Sequence, residues 1–291
     1  MPTPTVRRLQ LGNELRRLRE RAGVSLEDAG KAIDRAQSSM SRLENGETGI
    51  RPRDLRDLVA FYAEHITTGD PVDVAWYLEL TKGAEQRGRW SGYRSVYAKW
   101  FRMVVDLEDD ASAISAYHAE GVHGLLQTED YMRTLFTAAK ARRADQHTDD
   151  WIQARIARQA VLTKPDAPEV TFVLSESSIR RQVGPPKVMR GQLDHLLDVA
   201  ELPNVHLHIL PFRCDTAPDA MWQFTHFRVP AASGNAPPLE FVFVETYTDG
   251  TCLDGNDDLA QYAYLWSQLL GAALDPVRSR KLLAATAKDF T

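Results

Sequence analysis

The sequence predicts a multidomain chain: an all-α helix-turn-helix domain, then an α+β domain with a mainly antiparallel sheet flanked by helices. Three observations carry that prediction. The chain has 291 residues, more than one small core usually takes. Apolar residues recur at helical spacing through the first 62 residues. Beyond Pro165 the period shifts toward that of strands. The boundaries read this way are 1–64 for the helical domain, 65–112 for a helical connector and 113–291 for the α+β domain.

Residues 1–10 are Pro/Thr-rich and then basic, with Arg7 and Arg8. Leu11, Leu15, Leu18 and Ala22 form a helical stripe that stops at Gly23. Pro52 opens a further helix, whose Leu55, Leu58, Val59 and Tyr62 close a small core. From 63 to 110 the chain reads as mostly helical, with a break at Thr67-Thr68-Gly69-Asp70-Pro71 and a possible domain connection at 73–87. Aromatic residues gather at Trp90, Tyr93, Tyr97, Trp100 and Phe101. A strand-like ISAYHAE follows at 114–120, then a helix capped by Thr128 and a longer one from Thr148 to Thr163, with Ile152, Ile156, Ala160 and Leu162 inward. VTFVL (170–174), NVHLHIL (204–210), MWQFTHFRV (221–229) and LEFVFVE (239–245) read as strands of one sheet. A helix at 186–201 lies among them, an NAPP turn at 235–238 separates two, and helices at 256–273 and 276–289 finish the chain.

The stretch Ser25 to Gly46 organises the N-terminal domain. Leu26, Ala29 and Ile33 share one helical face, and Ser25 is a good N-cap with Glu27 and Asp28 in the turn where the helix dipole favours anions. Gly30, lacking a side chain, lets a second helix cross close by. Asp34 sits at the joint, where a left-handed backbone is usual. In the next segment Met40 and Leu43 mark the buried side, leaving Gln37, Ser38, Ser39, Ser41 and Arg42 outward. Two helices so joined, the second polar at its leading end, make a helix-turn-helix.

Residues from about 11 to 62 resemble the DNA-binding domain of Cro/C1-type (XRE) repressors, and Ser41-Arg42-Leu43-Glu44-Asn45-Gly46 is close to that family's S-R-L-E-x-G signature. A second resemblance covers most of 90–290, to the uncharacterised C-terminal domain found behind such motifs in actinobacterial regulators. It rests on Gly124-Leu125-Leu126-Gln127-Thr128 with Tyr131, Arg158-Gln159, Glu176 with Arg180-Arg181, Val183-Gly184, Gln192-Leu193, Pro211-Phe212 and Val244-Glu245. That family usually has Pro before Gly-Leu-Leu-Gln, where this chain has His123.

The resemblances imply a sequence-specific transcription regulator, a repressor, partnered by double-stranded DNA. In such a motif the second helix enters the major groove. Gln37 can pair bidentately with adenine, Ser38 and Ser39 can donate or accept, and Arg42 can reach guanine or a phosphate. Ser25, Arg35, Asn45, Arg51 and Arg53 are the phosphate candidates. The family often has Gln where this chain has Leu26, so one usual phosphate contact is missing. Glu44, which DNA would repel, is read as a structural ion pair with Arg19. A homodimer would present two half-sites about 34 Å apart. The resemblance also implies a small protein partner engaging the C-terminal domain. The rival readings are a small-molecule pocket in that domain, or an enzyme with a DNA-binding appendage.

Hydrophobic content of 43% and charged content of 26% fit an ordinary soluble globular protein. Residues 1–62 carry about 12 Lys/Arg against about 9 Asp/Glu, roughly +3, so with a total of −5 the remainder is near −8. A basic end on an acidic body fits a local nucleic-acid contact. Two cysteines, Cys214 and Cys252, give no disulfide framework or zinc-finger spacing, and a reduced, cytoplasmic setting is the simpler reading. No signal peptide or membrane span is expected, since no apolar run is long enough. No G-x-S-x-G, Walker loop or G-x-G-x-x-G occurs, and neither cofactor, metal nor catalytic residue is expected. The metal alternative is His206 and His208, two apart on a strand, with Cys214 nearby. The acid/base alternative is Glu176 with Glu245, for which Arg180, Arg181 and Arg158 offer ion-pair partners.

Overall fold

Among the described residues six helices build the N-terminal part of the chain, and the apolar stripes of the first five meet in one core. The computed structural model describes residues 6–67, 71–84, 96–98, 100–140, 148–214, 220–232 and 237–290. The helices are α1 (Val6–Arg21), α2 (Leu26–Ala32), α3 (Gln37–Glu44), α4 (Pro52–His65), α5 (Val74–Ala84) and α6 (Phe101–Asp110). Leu11, Leu15 and Leu18 of α1 pack with Ala29, Met40, Leu43, Leu55, Leu58, Val59 and Tyr62. Tyr77 of α5 joins this core, and burial pushes its phenol up to about 12. Of the stretch read as a connector, α5 therefore packs with the helices of the N-terminal domain.

Two glycines set the spacing of these helices. At Gly30 a Cβ would lie 2.4 Å from the carbonyl oxygen of Arg35, so the backbone of the joint presses on α2. The close approach of a second helix expected at Gly30 occurs instead at Gly12. A Cβ there would lie 2.4 Å from the Glu44 carbonyl oxygen and 2.7 Å from that of Leu43, so α1 and the end of α3 cross at a distance no other residue permits. Asp34 takes the left-handed conformation at the joint, with φ 54°.

Contacts divide the chain into two compact units. The first spans Met1–Arg94, Ala98–Asp110 and Pro230–Leu239, the second Ser95–Tyr97, Ala111–Val229 and Glu240–Thr291. The second unit contains β1 (Ala113–His118), α7 (Glu129–Lys140), α8 (Thr148–Gln159), β2 (Glu169–Ser175), α9 (Glu176–Arg180), α10 (Pro186–Val199), β3 (Val205–Leu210), β4 (Phe224–Val229), β5 (Leu239–Glu245), β6 (Gly250–Leu253), α11 (Asn256–Ala272) and α12 (Pro276–Ala287). The six strands form one sheet in the order β3-β2-β1-β4-β5-β6.

The sheet is mixed, which corrects the expectation of a mainly antiparallel one. β1 runs parallel to β2 (Ala116 opposite Phe172) and β2 parallel to β3 (Phe172 opposite Leu207). β4 is antiparallel to β1, and β6 to β5. The cause is connectivity. Parallel neighbours need long crossovers, and α7 with α8, then α9 with α10, supply them; such strand-helix-strand alternation is the mark of a parallel sheet. The strand-like ISAYHAE stretch supplies β1, between the parallel and antiparallel halves, with Ile114, Ala116 and Tyr117 buried.

Leu259, Tyr262, Leu265 and Trp266 of α11 pack against a core that holds Tyr117, Val173, Phe224 and Val242 of the sheet. The outer edge of β3 is closed by the joint between α11 and α12: Ile209 N–H donates to Ser279 Oγ (2.9 Å) and Leu274 N–H to the Ile209 carbonyl (2.8 Å). An open sheet edge invites pairing with another chain, and this edge has no free ladder at that point. In α8 the inward positions are Ile152, Ala154 and Arg158, while Ala160 is exposed. The helix tightens into a 3-10 turn at Ala160–Leu162, which turns Ala160 out of the expected stripe, while Ile152 and Leu162 are buried as expected. The expected break at 67–71, the NAPP turn at 235–238 and the residues Trp90 and Tyr93 lie wholly or partly outside the described residues.

Candidate nucleic-acid interface

The tip of α3 is polar, exposed and uncapped. Ala36 precedes it in an extended conformation and offers no side-chain cap. Gln37, Ser38 and Arg42 are exposed, Ser39 is half-buried, and Met40 and Leu43 are buried on the opposite side. Ser38 and Arg42 are four residues apart and so lie on one face. None of Gln37, Ser38, Ser39 or Arg42 is held by a side-chain hydrogen bond or ion pair among the described residues.

The base of α3 is firmly held. Arg19 donates to Glu44 through two parallel bonds, Nε to Oε1 at 2.7 Å and Nη2 to Oε2 at 3.0 Å, and its Nη1 donates to the Val24 carbonyl at 3.1 Å. This fork geometry is the strong form of a carboxylate pair. Hydrogen bonding to Glu44 raises the Arg19 pKa further above its already high value. Arg16, which the sequence reading passed over, reaches the same place: its Nε is 3.5 Å from Glu44 Oε2 and its Nη2 donates to Asn45 Oδ1 at 2.5 Å. The signal was available, because Arg16 lies one helical turn before Arg19 and so shares its face.

The phosphate candidates divide. Arg51 and Arg53 are exposed at the start of α4, which like α3 has no side-chain cap; the nearest acid to Arg53 is Asp57 at 4.0 Å. Arg35 is bound within the fold, 2.8 Å from Asp54, tying the joint to α4. Ser25 accepts from the Asp28 N–H (3.1 Å) and donates to the Asp28 carboxylate (2.6 Å). Lys31 lies 2.7 Å from Glu27 and 3.6 Å from Asp28, so the start of α2 is both capped and acidic.

The second unit holds its own polar cluster, around the turn Gly124–Leu126. His123 occupies the position before that turn with φ −55°, which proline also adopts, and its Nδ1 accepts from the Leu125 N–H at 3.1 Å. The backbone expected of Pro is thus kept, with a side-chain cap added. Gln192 is fully buried; its Nε2 donates to the Leu126 carbonyl (2.7 Å) and its Oε1 accepts from the Thr128 N–H (2.8 Å). Gln159 donates to the carbonyls of Gly124 (3.2 Å) and Gln127 (2.7 Å), and Gln127 Oε1 accepts from Arg155 at 2.6 Å. The rings of His118 and His123 meet edge to face at 4.8 Å. Burial, helped by the nearby Arg155 and Arg158, pushes His118 down to about 4; His123 is held well below its usual value by burial, with His118, Arg158 and Arg155 adding.

Glu176 binds Arg180 (2.6 Å) and accepts from the Phe212 N–H (2.9 Å). Glu245 is exposed at its surface yet desolvated enough that its carboxyl is raised, against the pull of Arg155 and Arg158. His208 Nδ1 lies 3.0 Å from the Leu274 carbonyl, and His206 faces Glu169 at 3.5 Å. Both cysteines are free thiols, and among the described residues no group of three or more His, Cys, Asp or Glu is placed to hold a metal. Tyr97 is buried edge-on to Trp151, with ring centroids 6.1 Å apart, and the half-buried Trp100 meets Phe101 at 5.5 Å. Among the described residues no helix is long and apolar enough to cross a membrane.

A family model described as a helix-turn-helix domain matches residues 10–65, from within α1 to the end of α4. No curated protein and no solved structure matches the chain. A second family model matches residues 101–285, more than half of the chain, and its description is a domain of unknown function (DUF5753). With an N-terminal helix-turn-helix that suggests DNA binding, the chain belongs to the family defined by that domain of unknown function.

Proposed function

We propose that the protein is a sequence-specific transcription regulator of the Cro/C1 (XRE) type, a dimeric repressor rather than an enzyme, whose second unit receives a small modulating protein. The observation that carries this reading is the tip of α3, where exposed, unengaged Gln37, Ser38 and Arg42 stand on a helix anchored from behind by Met40, Leu43 and the Arg19–Glu44 fork. A helix so presented fits the major groove, where Gln reads adenine and Arg reads guanine. Arg51 and Arg53 support it as phosphate contacts, and the uncapped starts of α3 and α4 add unpaired N–H groups favourable to anions. Ser25 and Arg35 support it less, being engaged within the fold, and the acids at the start of α2 disfavour a phosphate there.

Two copies bound one helical turn apart on DNA would block a promoter, which is the basis for assigning repression. The protein-partner assignment draws on Phe212, Met221 and Trp222, which are 62%, 68% and 59% exposed on the second unit. Selection from a pool of randomised duplexes by the full-length protein tests the DNA reading. Enrichment of a two-fold symmetric site, and reduced transcription when that site overlaps a promoter, is the expected result; a pool that stays random rejects it. A second reading, sensing of a small molecule, is favoured by the convergence of His118, His123, Arg155, Arg158 and Glu245 in the second unit.

A further inference from the structure

We infer that Arg16 is a positioning residue for DNA binding, holding the Asn45 side-chain amide so that its NH2 group faces away from α1, toward a phosphate. This rests on the DNA-binding reading above. Asn45 is the first residue beyond α3, and its backbone N–H is already taken by the Ser41 carbonyl at 3.0 Å. Its side chain is half-exposed and can rotate to present either end. The two ends are chemically opposite: the oxygen only accepts and the nitrogen only donates, so only the NH2 end can bind a phosphate.

Arg16 settles which end points outward. Its Nη2 donates to Asn45 Oδ1 at 2.5 Å, and a guanidinium, having no acceptor, cannot receive the NH2 end instead. The Arg16 guanidinium is itself steadied by Glu44 Oε2 at 3.5 Å, the carboxylate that Arg19 holds by its fork. Removing Arg16 leaves that fork in place, and the Arg16 side chain is 40% exposed, so its loss should spare the fold.

The test uses the full-length protein, a duplex selected by the wild type, and affinity measured across a salt series. Arg16→Ala should weaken binding by about 3- to 10-fold, the value of one hydrogen bond, equally for all duplexes. Its salt dependence should match the wild type, because Asn45 is neutral. The Arg16→Ala, Asn45→Ala double variant should bind no more weakly than Asn45→Ala alone. Asn45→Asp keeps the bond to Arg16 but turns an oxygen outward, so it should bind more weakly than Asn45→Ala; this variant serves even if Arg16→Ala melts early. A salt slope reduced by about one would show Arg16 touching a phosphate itself and overturn the inference. Additive losses, an unaffected Arg16→Ala, or an Asn45→Asp that binds like the wild type would also overturn it. A wild type that binds no duplex rejects the underlying reading as well, whereas the other failures reject only the role of Arg16.

Discussion

The tip of α3 and the turn Gly124–Leu126 are made of similar residue types, Gln, Arg and a small polar or imidazole side chain, yet the fold treats them in opposite ways. At the turn, Gln127 donates to the Val122 carbonyl (2.7 Å), Gln159, Gln192 and His123 each bind a backbone group as well, and Gln127, Gln192 and His123 are buried. At the tip, Gln37, Ser38 and Arg42 face solvent from a helix with no side-chain cap. The first set satisfies backbone that would otherwise be stranded in a core. The second set is left with its donors and acceptors unengaged, which is the condition for reading a ligand. Residue type alone does not separate the two.

If this contrast is right, removing a side chain at the turn should cost stability, and removing one at the tip should cost recognition. The largest expected effect lies at the base of α3, where both meet. Glu44→Ala strands Arg19 in a largely buried position and should destabilise by about 3–5 kcal/mol, lowering the melting temperature together with DNA affinity. An unchanged melting temperature would remove the structural role of the fork. Next, Gln192→Leu leaves the Leu126 carbonyl and the Thr128 N–H without partners and should cost about 2–4 kcal/mol in denaturant unfolding. The DNA affinity of the folded fraction should not move; if it does, the two regions are not separable in function.

The histidines of the second unit sharpen the contrast through pH. His118 and His123 are held neutral in the folded chain, while in the unfolded chain they take a proton near 6.5. The unfolded state therefore binds more protons below that value, and stability, fully present above about pH 6.5, is lost as pH falls toward about 4. The loss from His118 should reach about 1–2 kcal/mol at pH 5, and His118→Gln should flatten the profile of unfolding free energy between pH 7 and 5. A profile as steep as the wild type's would mean that other groups carry it. The smallest effect on stability belongs to the tip: Gln37→Ala and Ser38→Ala should stay within about 0.5 kcal/mol of the wild type in unfolding. They should instead relax base preference by about 1–3 kcal/mol at the position read, measured by competition between duplexes differing at one base pair.

Much of the helical unit was legible because its information is local. The stripe Leu11, Leu15, Leu18, the cap at Ser25, Asp34 at the joint and Pro52 opening α4 each declare themselves within a few residues. The geometry of the phosphate candidates was not legible. Arg35 and Arg51 look alike in the sequence, and only the fold brings Asp54 beside the first. Gly12 passed unnoticed for the same reason, since the backbone that crosses it lies about thirty residues away in the chain. In the second unit five strands were visible one by one, whereas β6, only four residues long and half-exposed, was not. The direction in which they pair depends on long crossovers, and a period-two pattern carries no sign of direction.

Local periodicity and capping therefore settled where α2, α3 and α4 begin and which short helix shows a polar tip to solvent, but not the start of α1 at Val6 or the short α9. Those properties depend on neighbours within one or two turns, which the chain order lists directly. Which arginines are tied down, which histidines are driven neutral and which glutamines sew the turn at Gly124 onto α8 and α10 depended on side chains meeting across the fold. Such meetings are decided by packing, where one buried donor must find one buried acceptor, and no spacing along the chain encodes them.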